Sequence, residues 1–435
     1  MSKKNVPVVR LVDRDEAAEL PGLSEELRDA MTEVVGAARE GLLAMSVGIG
    51  LRVFVEMMDE ELTAKVGPKH AKLLGRTASW HGTAPGSVVL GGRRVGVERP
   101  RARTTDGTEV VCDTYGAFAD DDLLTQVVME RMLAGLATRR HRAANEPVGA
   151  EVEATATSTS KSSVSRRFVA RTKQALAELM NRDLSGLEVP ALMIDGVHFA
   201  EHCCVVAMAI CADGTKVPVG LWLGDTENKT VVTSLLADLV DRGLSADGGL
   251  LVVIDGAKAL AAAVRRVFGE AAVIQRCTRH KRRNVTDYLP LDQRGWVDQR
   301  LARAFNHTDP AAGLRQAREL ARRLETRWPD AAASLREGLE EMFTVRRLGV
   351  SDRLARSLSS TNMIESMISV GRDTTRNVKR WRDGAMVKRW VAAGILNAER
   401  SFRRLKGCTD MPTLVAALRR HTEAVTPERD TDEVA

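Results

Sequence analysis

The sequence is poor in the residues that several common designs depend on. It has only two tyrosines, Tyr115 and Tyr288, in 435 residues, so a tyrosine nucleophile has few candidates. Its six cysteines stand at 112, 203, 204, 211, 277 and 408, with no C-x-x-C pair among them. That spacing offers neither a disulfide framework nor a paired-cysteine metal module. No apolar run approaches the roughly 20 residues a membrane span needs, and Met1-Ser2-Lys3-Lys4-Asn5 has no apolar signal core. The expectation is a soluble cytoplasmic protein with no membrane partner. An excess of one charge is also missing overall: 64 basic residues face 58 acidic ones for a net +6. Where the basic residues cluster therefore matters more than their sum. What is present is ample apolar material, 44% of a chain too long for one typical core, so two to four domains are expected.

Residues 1–20 are polar. Across 24–79 the positions Leu27, Met31, Val34, Val35 and Ala38 repeat with a helical period. The texture changes at Pro85–Val97, which reads as a β-hairpin turning at Gly91-Gly92. Its second arm runs on through Arg99, Arg101 and Arg103, a ribbon suited to phosphate contact or simply a solvated edge. Residues 121–144 read as helix ending in Arg139-Arg140-His141-Arg142. The stretch Ala154–Ser160, with Lys161–Phe168 behind it, resembles the turn and second helix of a helix-turn-helix capped by Ser160. There Val164, Phe168, Ala175, Leu176 and Leu179 would face a core, and Lys161, Ser162, Ser165 and Arg166 a DNA groove. An ordinary amphipathic helix is the alternative.

From 190 the pattern is α/β. Strands 191–199, 203–210 and 216–223 form a meander. A helix capped by Thr226, strand 249–254, helix 257–268 and strand 272–274 follow. This order suits a mixed sheet of RNase H type, first and fourth strands adjacent and parallel. Asp195 and Asp255, each closing an apolar run, would then leave the carboxyl ends of neighbouring strands, where ligands bind in such sheets. Helical stretches near 291–305, 310–326 and 330–345 read as an all-helical insertion over 281–358. Helix 362–376 places Asn362, Glu365, Ser369, Arg372 and Arg376 on one face, with Met363, Met367 and Val370 on the core side. Two aspartates and a distant glutamate suit a pair of Mg²⁺ ions, with Mn²⁺ able to substitute. Two such ions roughly 3.5–4 Å apart clamp the attacking and leaving oxygens of a phosphodiester.

Between 372 and 406 eleven Lys and Arg are opposed only by Asp373, Asp383 and Glu399. That local +8 exceeds the charge of the whole chain and is its strongest footprint for nucleic acid. Arg372, Arg376, Lys379, Arg380 and Arg382 belong to it, and Arg282 and Arg283 add to the basic count upstream. Trp381 could stack on a displaced base or be a half-buried packing residue.

Taken together these residues resemble a Mutator-type bacterial insertion-sequence transposase of the DDE superfamily. The matching stretches are Asp195-Gly196-Val197-His198, Gly220–Gly224, Thr226-Glu227-Asn228, Val253–Leu260, Gln275–Asn284, Thr361–Ser366 and Thr375–Trp381. The resemblance implies an RNase H-like core with a helical insertion. It also implies cleavage and strand transfer at the ends of a mobile element, and an Asp195–Asp255–Glu365 metal triad. The partners implied are terminal inverted repeats, target DNA and a second copy of the chain, a homodimer or higher oligomer. The implied organisation is a helical region (1–80), a hairpin with helices (81–150) and a helix-turn-helix-like segment (151–189). The catalytic core occupies 190–280 and 359–408 around the insertion (281–358), and a C-terminal helix and tail occupy 409–435.

Cys277 and His280 match the C-x-x-H of that family. Four-ligand structural zinc would need a second Cys/His pair, none follows, and His307 stands alone, so no zinc is expected. Two rivals remain. His280-Lys281-Arg282-Arg283 contains the H-x-x-R of tyrosine recombinases, but Tyr288 lies on the same short segment. A DNA-binding repressor, or a transposase decayed to one, would need the basic segments but has no use for three converging acids.

Overall fold

The computed structural model describes residues 42–71, 75–199, 201–224 and 228–425, so the expected helical residues 24–41 and the expected cap Thr226 lie outside it. The chain divides into two compact units, 1–171 and 172–435. No helix among the described residues is long and apolar enough to cross a membrane.

The first unit is built on a two-stranded ribbon. Helix α1 (Leu42–Val66) precedes strands β1 (Ala78–Leu90) and β2 (Arg93–Thr104), so the expected helix stops well short of 79. Gly67, with φ +81°, turns the chain, and its carbonyl accepts from Trp80 Nε1 at 2.8 Å. The ribbon pairs Leu90 with Arg93 across Gly91 and Gly92, both at positive φ, as a tight two-residue hairpin requires. Phe54, Met58, Leu62 and Val66 of α1 are buried beside Val88, Ala78 and Ala102. Helices α2 (Asp113–Ala119), α3 (Asp121–Leu133) and α4 (Ala150–Thr155) follow, then α5 (Lys161–Met180). The α3 helix ends eleven residues before the expected 144. Gly135, at φ +92°, closes it with a bond to Met132 O, and the arginines beyond lie in short 3₁₀ turns.

The second unit holds five strands: β3 (Ala191–Phe199), β4 (His202–Ile210), β5 (Lys216–Gly224), β6 (Leu250–Ile254) and β7 (Ala272–Arg276). Their order across the sheet is β5-β4-β3-β6-β7; β3–β4–β5 are antiparallel and β3–β6–β7 parallel. The first and fourth strands are thus adjacent and parallel, as their order predicts. Helices α6 (Lys229–Asp241) and α7 (Lys258–Phe268) bury Leu192, Ile194, Val252 and Ile254 on one face. Asn228 caps α6, accepting from Val231 N at 3.0 Å. The chain continues through α8 (Thr278–Asp287), α9 (Leu291–Phe305), α10 (Pro310–Glu325), α11 (Pro329–Arg336), α12 (Thr344–Arg347) and α13 (Asp352–Leu358). It closes with α14 (Asn362–Thr375), α15 (Gly384–Glu399) and α16 (Met411–Val425). The other sheet face packs Met193, Val197 and Val206 against Ile364, Met367, Val391 and Ile395 of α14 and α15.

Helix α8 and the helices that follow it share a core of their own, from Val285 to Phe343. Val345, Val350, Leu354 and Leu358 pack with the sheet instead, so the separate helical layer is shorter than 281–358. The third helix of that layer ends at Arg336 rather than 345. Gly338 turns at φ +61°, and any Cβ there would strike the guanidinium of Arg276 at about 2.5 Å.

Candidate active site

Strand register brings the two aspartates level. β3 and β6 pair Ala191 with Leu251, Leu192 with Val252 and Met193 with Val253. Continuing that register sets Asp195 beside Asp255. The two are not alike, however. Asp255 follows the last residue of β6, as expected, but Asp195 lies within β3, whose last six residues pair with β4 alone. Asp195 therefore sits where β6 has just ended and the sheet opens. Alternation along β3 puts it on the face of Met193 and Val197, the face that α14 covers.

Glu365 is in the first turn of α14. Ile364, Met367 and Ile368 bury the helix against the sheet, and Glu365 is left half-exposed beside the aspartates. Thr361 stands at the N-cap, but its hydroxyl does not cap the helix. It donates to Glu365 Oε1 at 2.5 Å and lies 3.3 Å from His280 Nδ1. Sequence patterning could not single out Thr361, because a Thr before a helix reads as an ordinary cap.

The C-x-x-H segment closes the site. Cys277 N–H extends the sheet by donating to Ile254 O at 2.7 Å, which sets the N-terminus of α8 beside Asp255. The sequence pattern does not mark α8 as a helix. Its buried Cys277 Sγ accepts from Thr361 N at 3.4 Å, and His280 Nδ1 is 3.9 Å from Glu365 Oε1. Arg276, also unpredicted, reaches under the loop: it donates to Gly256 O at 2.8 Å and pairs with Glu341. Gln275 bonds Met342 O and Val345 N, both at 3.0 Å, and ties the segment before α12 to the edge strand.

The electrostatics are those of crowded acids. Asp195 is 8% exposed, and burial first, then the charge of Asp255 and less strongly that of Glu365, push its carboxyl up to about 7 against the opposing pull of His280. A hydrogen bond with Cys277 and the charges of Cys277, Glu365 and Asp195 outweigh burial and raise His280 to about 9. Burial pushes the Cys277 thiol up, but its bonds from His280 and Thr361 prevail and leave it below its ordinary value. Asp195 thus feels both other acids, Asp255 more strongly than Glu365.

The basic candidates divide into two groups. Among the described residues Lys161, Arg166, Arg283, Arg372, Arg376, Lys379 and Arg380 are exposed without an ion-pair partner, and Ser162 and Ser165 are exposed beside Lys161 and Arg166. Val164, Phe168, Ala175 and Leu179 are buried and Leu176 partly so, as their period predicts, and Ser160 Oγ accepts from Ser163 N at 3.2 Å. All of the others but Arg103 are engaged within the protein. Arg99 and Arg101 both pair with Glu109, at 2.9 and 2.7 Å, and Arg99 also lies over the Tyr115 ring. Arg282 pairs with Asp298 and Arg382 with Asp383; Arg103 has its Nε buried without a partner. Trp381 is half-buried, edge-on to Phe199 with centroids 5.3 Å apart. Val370, expected on the core side, is 37% exposed; Ile364 and Ile368 take that side instead. Tyr288 is exposed at the far end of α8, about 12 Å along the axis from His280.

Residues 27–404 match the family model described as "Transposase, Mutator family". The chain belongs to the Mutator family of transposases. Among curated relatives, a "Probable transposase for insertion sequence element" of Corynebacterium diphtheriae is 27% identical over 216 residues. That match spans 49% of this chain and 61% of the relative. The "Transposase for insertion sequence element ISRM3" of Rhizobium meliloti is 27% identical over 213 residues, 47% of this chain and 52% of the relative. The chain thus spans between half and two thirds of the curated relatives it matches. Within this Mutator-family chain, the paired aspartates, the α14 glutamate and the C-x-x-H segment all fall inside the matched residues.

Proposed function

We propose that this Mutator-family chain is an insertion-sequence transposase with an RNase H-like core that cuts and joins DNA through a DDE triad of Asp195, Asp255 and Glu365. The observation that carries the reading is the raised carboxyl of Asp195, pushed to about 7 by burial first and then by the charges of Asp255 at the end of β6 and Glu365 on α14. A buried acid under that repulsion calls for cations, and an all-oxygen donor set fits Mg²⁺ or Mn²⁺. When bound, such ions polarise the phosphate and lower the cost of an oxygen nucleophile, first water and then a 3′-hydroxyl.

The protein's own groups do the positioning. Gly196 N–H and Ala257 N–H each hold one aspartate oxygen, at 3.0 and 2.8 Å, leaving the other free. Thr361 fixes the rotamer of Glu365. Arg372 and Arg376, two and three turns along α14, would fork onto phosphate oxygens, with Lys379 and Arg380 on the flanking backbone. The partner is DNA, both terminal inverted repeats and target. The exposed face of α5, in helix-turn-helix fashion, would read the repeats, and a second copy would complete the synaptic assembly on the bacterial nucleoid. Arg99, Arg101, Arg282 and Arg382 would have to exchange an internal ion pair for phosphate.

The test is Asp195→Asn, which removes a charge and keeps the shape. Metal-dependent cleavage of an element-end duplex should fall by about 10²-fold or more while DNA binding persists. Near-normal cleavage by the variant removes Asp195 from the site. A wild-type protein that binds the repeats and cuts nothing favours the repressor reading.

A further inference from the structure

We propose that Cys277, His280 and Glu365 form a second cation site, selective for a thiophilic ion such as Zn²⁺, whose occupation takes Glu365 out of the carboxylate triad. The ligand atoms of these three residues all lie within 4.8 Å of one another. They come from two helices whose termini meet: Cys277 is the N-cap of α8, His280 its third residue, and Glu365 lies in the first turn of α14. An N-cap side chain and the residue three further on share one helix end, the juxtaposition used by a capping box. Here it presents sulfur and imidazole side by side instead of a backbone cap.

The backbone between the two helices is tied closely. Thr278 N and Oγ1 both donate to Ser359 O, at 2.9 and 3.0 Å, and Arg279 bonds Asn362. The ligands are therefore carried on a frame joined on both sides of Thr361. Zinc holds sulfur at about 2.3 Å and nitrogen or oxygen at about 2.0–2.2 Å, so neighbouring ligands stand roughly 3.5 Å apart. The present cluster needs a contraction of roughly 1 Å, so the Thr361–Glu365 hydrogen bond gives way and the half-exposed Glu365 rotates. Three protein ligands leave a fourth position to water.

Counting Cys and His along the sequence could not find this site, because its third ligand lies 85 residues downstream of His280 and is a carboxylate. The donor chemistry separates it from the proposed catalytic set. Thiolate and imidazole favour Zn²⁺ over Mg²⁺, which prefers all-oxygen surroundings. Because Glu365 belongs to both sets, one occupant excludes the other: a thiophilic ion turns Glu365 toward α8 and leaves two aspartates where three acids are needed. This consequence rests on the proposed role of Glu365, whereas the existence of the site does not.

The experiment separates the two. Co²⁺ is titrated into the full-length metal-free protein in the presence of excess Mg²⁺, and absorption is recorded. The wild type should bind one equivalent with a near-ultraviolet thiolate-to-cobalt charge-transfer band and tetrahedral visible bands, both displaced by Zn²⁺. Cys277→Ser should lose the charge-transfer band, while Cys408→Ser keeps it. Glu365→Gln should keep the band but weaken affinity by more than about tenfold, since a direct ligand costs at least what outer-shell partners do. No band in the wild type, a band that survives Cys277→Ser, or an affinity unmoved by Glu365→Gln overturns the site. These readouts require no DNA cleavage, so they stand or fall apart from Asp195→Asn.

Discussion

Asp195 is the residue on which the proposed chemistry turns, and its protonation gives a test apart from cleavage. Its carboxyl is raised to about 7, burial leading and the neighbouring acids adding to it. The sign follows from linkage. With the folded value above the unfolded one, the metal-free fold binds the extra proton between about pH 4 and pH 7, and stability from this group falls as pH rises through that window. A cation bound by the same carboxylate must displace that proton. Mg²⁺ affinity should therefore tighten from pH 5.5 to 7 and level off above it. Calorimetry in two buffers of different ionisation enthalpy should find close to one proton released per binding event at pH 6, and almost none at pH 8. Proton release that is unchanged in Asp195→Asn would place the linkage on another group. At this scale the sequence was partly legible. Asp195 and Asp255 announce themselves by ending apolar runs, and Glu365 by its place on a helical stripe. Thr361 and Arg276 do not, because their roles depend on partners up to 84 residues away in sequence.

The elements that deliver Glu365 meet through two glycines. A Cβ on Gly394 of α15 would stand 2.9 Å from Gly371 Cα and 2.9 Å from Thr374 Oγ1, so α14 and α15 touch at backbone distance there. A Cβ on Gly371 would meet nothing within 4 Å. The two substitutions should therefore differ in sign. Gly394→Ala should cost about 1–3 kcal/mol through overpacking and shift α14, lowering cleavage as well as melting temperature. Gly371→Ala gains helix propensity worth up to about 1 kcal/mol and should be neutral or stabilising. Thermal unfolding of the two variants checks this, and an equal loss in both would contradict the packing. Element types and order were well written in the sequence, because the strands are continuous apolar runs and the hairpin turns on Gly-Gly. Ends were less so. Helices stop at Gly135 and near Gly338 because those glycines adopt positive φ. The period of α8 is masked in the sequence by Arg279, Lys281, Arg282 and Arg283, although Lys281 and Val285 are buried.

At the scale of the molecule, charge is spread over both units but is not equally available. The counterion-release account of DNA binding assigns about one unit of salt slope to each phosphate contact made by a cation. A cation already paired within the protein gains less, because it gives up one ion pair to form another. Arg166 in the first unit and Arg376 in the second are exposed and free of ion pairs among the described residues, whereas Arg101 is held by two oxygens of Glu109 at 3.2 and 2.7 Å. Composition and local charge counting could not make this division: they weigh every arginine alike, and only the fold shows which ones have partners. The full-length protein should therefore respond in three ways when binding to inverted-repeat duplex is measured from low to moderate salt. Arg376→Ala should reduce the slope by about one unit on any duplex, since phosphate contact carries no sequence information. Arg166→Ala should reduce discrimination between repeat and random duplex, because α5 is the proposed reader. Arg101→Ala should leave the slope nearly unchanged and lower the melting temperature only slightly, as losing a partly exposed ion pair does. A slope that falls equally in Arg101→Ala and Arg376→Ala would mean that the Glu109 pair opens on DNA and that the ribbon β1–β2 is itself a contact surface.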